Sequence, residues 1–179
     1  MTTGISNLNE HKISLASELI DDIELSRLTP DQLLFKAYRL ARICDNVDIR
    51  KWLYYELKGY SDSPESRKYM DYVWRWTNKK NDIGYWVPFS SINSMIQANE
   101  AQLRQLQVPD INVSLSSSNP HEVVTGIYGE KVSGFASHTQ QILSKMAEIT
   151  NSISNMTGIR SRVMSSIHTF VSDIYYGRH

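Results

Sequence analysis

The residue types able to do chemistry are present in this sequence, but their spacing builds no recognisable catalytic or metal centre. The five histidines, His11, His121, His138, His168 and His179, fall at no metal-ligand spacing, and the single cysteine, Cys44, gives them no thiolate partner. Neighbouring acids such as Asp21 and Asp22, or Asp45 and Asp48, sit where helix surfaces and caps are expected, without the lysine or histidine of a nuclease site. Serine is plentiful, yet there is no Gly-x-Ser-x-Gly elbow and no glycine loop to cradle a phosphate. Cys44 closes the apolar stripe Leu33, Leu34, Ala37, Leu40, Ala41, which reads as a small buried hydrophobe rather than a nucleophile. No catalytic residue, metal or cofactor is assigned.

Three groups remain as candidates for binding. Trp52, Glu56 and Tyr60 stand at i, i+4 and i+8, on one helical stripe. Their functional reading is a ligand or partner surface. Their structural reading is aromatic packing against the next element, with Glu56 bonded to a nearby donor. Trp74 and Trp76, with Tyr72, would share one face of a strand, Val73 and Arg75 the other. With Arg67, Lys68, Lys79 and Lys80 around them, they resemble a stacking surface for single-stranded nucleic acid. Arg160 and Arg162, late in the chain, could hold a phosphate or nucleotide.

The elements that position these residues follow from periodicity and punctuation. Residues 1–13 are polar and are expected to be flexible. From Ser14, Leu15, Leu19, Ile20 and Ile23 mark a first helix. Thr29-Pro30-Asp31 is a strong start signal for a second, running to about Cys44. Asp45-Asn46 recaps the chain into a third, which Gly59 should stop in a left-handed conformation. Three helices with short connections make a bundle. Ser63-Pro64-Glu65 then breaks the helical pattern. YMDYVWRW, TNKKND and IGYWVPF read as two aromatic strands around a polar turn. A polar helix over about 90–107 ends before Pro109. Residues 109–134 are irregular, with INVSL and EVVTGIY as short strands.

The C-terminal segment, 135–179, is the most regular. Ile142, Met146, Ile149, Ile153, Met156, Ile159, Val163, Ile167, Phe170 and Ile174 recur at steps of three and four. The phase survives Gly158, which argues for one helix or two nearly collinear ones. Such a helix would be roughly 50 Å long, more than a compact domain of this size spans. Ile142, Met146, Ile149, Ile153, Met156, Val163, Ile167 and Phe170 are therefore the expected oligomer seam, with burial inside the same chain as the alternative. The fold class is mainly α with a small antiparallel β element: an N-terminal three-helix bundle with its hairpin over 14–108, the connector 109–134 and the long C-terminal helix.

Composition agrees. The 179 residues carry 19 Lys+Arg and 19 Asp+Glu, so no global field draws nucleic acid or an anionic membrane. A lone thiol and an opening MTTGISNLNEHK without basic or apolar leader regions favour the cytoplasm. No apolar run approaches the roughly 20 residues of a membrane span.

SLASELIDDIE, LLFKAYRLAR and IRKWLYYELKGY, followed by a tyrosine-rich stretch, together resemble the AbiTii family of bacterial phage-defence proteins. The most specific element is Trp52, Glu56, Leu57, Gly59 and Tyr60. Late in the chain Ile159, Arg160, Arg162, Val163 and Phe170 are similar to the family's closing helix, with departures at Ser161 and Met164. The resemblance implies a setting, abortive infection, and supplies no reaction. A non-enzymatic, oligomerising module that senses infection or binds a partner defence protein is the expectation. A toxin acting on nucleic acid, or a small-nucleotide receptor, is the alternative.

Overall fold

The computed structural model describes residues 3–106 and 127–177, with side chains described for 7–106 and 138–177. Among these are six α-helices, α1 (Thr3–Glu24), α2 (Pro30–Ile43), α3 (Val47–Lys58), α4 (Pro64–Tyr72), α5 (Phe89–Gln105) and α6 (Ile127–Tyr175). Two short strands, β1 (Trp76–Asn78) and β2 (Ile83–Gly84), lie between α4 and α5. The chain divides into two compact units, 1–95 with 156–179, and 96–155. The expected segments ran in chain order, whereas here α6 from Met156 onward joins the N-terminal elements.

In the first unit the bundle forms as its caps dictate. Thr29 and Gln32 make a reciprocal capping box at the start of α2, with Pro30 in the first turn. Asn46 accepts from the Ile49 amide, at 3.1 Å, to start α3. Leu15, Ala16 and Leu19 of α1 pack with Leu33, Leu34, Ala37, Leu40 and Ala41 of α2 and with Trp52 and Leu53 of α3. Lys36 ties α1 to α2 through Glu18 and Asp22, each at 2.6 Å. Ile159, Val163, Ile167, Phe170, Val171 and Ile174 of α6 belong to this same core. Of the two readings of that stripe, burial within the chain holds for these residues.

Several expectations are corrected. α1 begins at Thr3 rather than Ser14, inside the stretch expected to be flexible. Residues 7–11 are exposed, so the helix extends there by propagation from a packed segment and leaves no apolar stripe to read. YMDYVWRW is not a strand: its first four residues end α4 and only Trp76 is in β1. Ser63 accepts from the Ser66 amide and Pro64 opens α4, so Ser63-Pro64-Glu65 starts a helix. Within 109–134, residues 127–134 belong to α6. Gly129 and Gly134, read as punctuation, are carried inside a long helix at about 1 kcal/mol each. The expected strand INVSL and most of EVVTGIY lie outside the described residues. Gly158 does not end α6.

Three helices of this unit stop without glycine. Ser26, Asp45 and Trp74 have φ of 51°, 51° and 55°. In each case the next amide reaches back to the helix: Arg27 to Asp22 O, Asn46 to Ala41 O and Arg75 to Met70 O, at 2.9–3.0 Å. These are Schellman closures with a side chain at the position that favours glycine. Gly59 stops α3 differently. Its φ of 91° and ψ of 168° lie outside the left-handed helical region expected of it. There a Cβ would meet Trp86 O at 3.1 Å and Pro88 Cδ at 3.2 Å. The close approach lets Tyr60 N donate to Trp86 O at 2.7 Å, docking the chain after β2 onto the end of α3. Gly59→Ala is expected to lower stability by about 1–3 kcal/mol, measured by chemical denaturation.

The second unit contains the end of α5 and the first part of α6. Asn99 Nδ2 donates to Ser152 Oγ at 3.2 Å, and Ile96 and Ile149 are buried. Ile142, Met146 and Ile153 are only half-buried.

Candidate functional site

The three residues of the Trp52–Glu56–Tyr60 stripe come together, and they do so inside the protein. Glu56 is fully buried and accepts from Trp52 Nε1 at 3.3 Å and from the Tyr60 hydroxyl at 2.5 Å. Its partner in charge is Arg75, also fully buried, which donates through Nη2 to Oε2 and through Nε to Oε1. Arg75 Nη1 donates to the carbonyls of Tyr85 and Val87, at 2.8 and 2.7 Å, and its guanidinium stacks on the Tyr60 ring at 4.6 Å. Two opposite charges are thus removed from water with nearly every lone pair and N–H occupied, the condition under which a buried ion pair is tolerated. Burial, then the neighbouring Glu56 charge, pushes the Tyr60 hydroxyl well above the usual tyrosine range, so it remains a donor. The polar groups of the network are taken up by one another. The network locks α3, the chain after α4 and the chain after β2 together.

Arg75 is the residue that sequence reasoning misplaced, since alternation put it with Val73 on the strand face opposite Trp74 and Trp76, whereas it precedes β1 and is fully buried. A carboxylate at a buried stripe position of α3 was the signal that a cation had to come to it.

The rest of the expected stacking surface is also dispersed. Trp76 lies edge-on to Trp86 at 5.2 Å, with Arg67 over both rings. Arg67 is bound to Asp62 and Asp82, at 2.7 and 2.6 Å, and Lys79 to Asp71 at 2.8 Å. Of the five cations grouped around the aromatics, Arg67, Arg75 and Lys79 are neutralised by carboxylates of the protein, which leaves little to attract phosphate.

One group does assemble at the surface. Trp74 is 65% exposed. Its ring carries the guanidinium of Arg162, from α6, 3.1 Å from the ring centroid. Tyr72, at the end of α4, is half exposed and meets Trp52 edge-on at 5.3 Å. Two cavities share Ile49 and Tyr72 in their walls. One, of about 250 Å³, is lined by Trp52, Lys68 and Tyr69; the other, of about 180 Å³, by Ser166, Phe170 and Asp173. Arg160 is half-buried and does not join this group.

A tryptophan at a left-handed position, held open to solvent, is hard to explain by folding. The conformation costs about 1–2 kcal/mol in any L-residue with a Cβ. At this position Trp74→Gly should be more stable than Trp74→Ala by about 1 kcal/mol, seen as a higher midpoint in parallel thermal melts.

Burial pushes the Cys44 thiol up, away from the reactive thiolate. His168 meets Glu24 at 3.4 Å across α6 and α1, and among the described residues no cluster of acids, histidines and cysteine could hold a metal ion. No helix among them is long and apolar enough to cross a membrane.

The first unit is thus a helical bundle clasped by a buried ion pair, with an aromatic and arginine patch at its surface. The chain belongs to the AbiTii family, whose model matches residues 14–178. The family name points to abortive infection, the bacterial defence against phage. No curated protein and no solved structure matched the chain.

Proposed function

We propose that this protein serves abortive infection as a recognition module, binding a partner defence protein or an infection signal through the surface of Tyr72, Trp74 and Arg162. The observation that carries this reading is Trp74: exposed, in a conformation that favours glycine, and stacked under an arginine whose N–H edges have no carboxylate partner among the described residues. Trp, Tyr and Arg are the side chains that dominate binding hot spots, because each offers a large contact at small entropic cost. Strained backbone concentrates where function needs a side chain held in place.

Self-association is part of the same reading. Neutral net charge removes long-range repulsion between copies. The half-buried Ile142, Met146 and Ile153 offer apolar contact on the second unit, where the stripe is not absorbed by the core of the first.

The test is protection in cells. Bacteria carrying the wild-type protein should plate a susceptible phage poorly. Trp74→Ala and Arg162→Ala, at unchanged protein level, should plate it nearly as well as unprotected cells. Full protection from both variants would refute the assignment of this surface.

A further inference from the structure

We infer that the Tyr72–Trp74–Arg162 surface takes a short peptide segment of a partner protein, with a carboxylate held by Arg162 and neighbouring apolar side chains seated in the two cavities beside Tyr72. This deepens the recognition reading above and rests on it. The charge argument comes from Arg162. A guanidinium seated over an indole uses the ring for its face and not its N–H donors, whose planar fork matches a carboxylate bidentately. Apart from the ring, Arg162 has no ion-pair partner among the described residues, in contrast to Arg67, Arg75 and Lys79. Lys68, at the larger cavity, lies over the Tyr69 ring at 5.4 Å, with the Glu65 carboxylate near enough to feel its charge. Arg162 thus stands without a carboxylate where Arg67, Arg75 and Lys79 are already neutralised.

Acids are present too, and they set the polarity of the ligand. Asp48 lines the larger cavity, where it accepts weakly from the Tyr69 hydroxyl at 3.4 Å. Asp173 lines the smaller one. Asp173 lies three turns beyond Arg162 on α6, about 16 Å along the axis, a distance that an extended peptide covers in about five residues. The segment that fits has an acidic residue at one end, apolar residues between, and a basic or amide-bearing residue at the other. The cavities take single side chains, not a helix laid in a continuous groove, because Tyr72 stands between them.

The experiment selects binders of the purified full chain from a randomised peptide library by ribosome display, then measures a synthetic enriched peptide by fluorescence anisotropy. Enriched sequences should carry Asp or Glu within a few residues of Leu, Ile or an aromatic. Replacing that acid by its amide should weaken binding about tenfold or more, the worth of a charge-assisted bidentate contact. Arg162→Gln should weaken it equally, and the two changes together should cost little more than either alone. The peptide-side change leaves the protein's fold untouched, so it decides the matter if Arg162→Gln is unstable. No enrichment, enrichment without an acid, or binding indifferent to the acid would overturn the inference. So would a single-stranded RNA oligonucleotide that binds more tightly than any peptide and loses its binding in Trp74→Ala. Loss of phage protection in Trp74→Ala and Arg162→Ala alongside such a failure would leave the recognition surface standing and remove only its ligand. Peptide binding with full protection in both variants would do the reverse.

Discussion

Arg75→Ala should destabilise the protein by about 3–5 kcal/mol, the cost of leaving a buried charge without its partner. Glu56 lies wholly inside the protein, and its two oxygens take four hydrogen bonds, two of them from Arg75. Removing the guanidinium strands that carboxylate and also frees the carbonyls of Tyr85 and Val87. A chain of this size loses about 2–4 °C of melting temperature per kcal/mol, so the midpoint should fall by roughly 6–20 °C. Glu56→Ala should be comparably damaging, because it strands Arg75. The double replacement Glu56→Leu with Arg75→Met should recover most of the loss, since an apolar pair of similar volume makes no demand for partners. Thermal melts of the four proteins read the cycle. If Arg75→Ala melts with the wild type, the pair is not buried as described. If the double variant is as unstable as the sum of the single ones, the two residues act independently.

The legible parts of this fold were those written in neighbouring residues. Thr29-Pro30-Asp31 and Asn46 place the starts of α2 and α3 because a cap needs only the next turn to act. The stripe from Ile142 to Ile174 gave one continuous helix because three-to-four spacing is local too. Ser63-Pro64-Glu65 carries the same start signal as Thr29-Pro30-Asp31. It was outweighed by the aromatics that follow, although β-propensity mainly reports a taste for half-buried surfaces, which a short helix on a bundle also supplies. The stops after α1, α2 and α4 had no glycine to announce them. The site was harder still. Glu56 finds Arg75 nineteen residues on, and Trp74 finds Arg162 on the far helix. No periodicity encodes such pairings, so two tryptophans read as one face went to different places, one onto Trp86 and one to the surface. The oligomer seam suffers from the same blindness, because a stripe states that it must be covered and not by what.

That last question has a decisive pair of variants, and they are expected to behave differently. Ile167 is completely buried in the core of the first unit, so Ile167→Asp places a carboxylate among apolar side chains with no donor arranged for it. Desolvation of that group costs several kcal/mol, and cavity and packing losses add to it. With total stabilities of about 5–15 kcal/mol, most of the folded population should be lost, seen as a collapsed cooperative transition by circular dichroism. Ile153 is half-buried on the second unit, where a carboxylate keeps part of its hydration. Ile153→Asp should therefore stay folded, with a melting temperature within a few degrees of wild type. If Ile142, Met146 and Ile153 meet a second copy, the mass by light scattering falls from oligomer to monomer in this variant alone. A wild-type protein that is already monomeric at tens of micromolar, or an Ile153→Asp oligomer of unchanged mass, would remove the seam from this half of α6. Ile167→Asp melting like the wild type would remove the other half from the core, and with it the reason that the two halves of one stripe should have different fates.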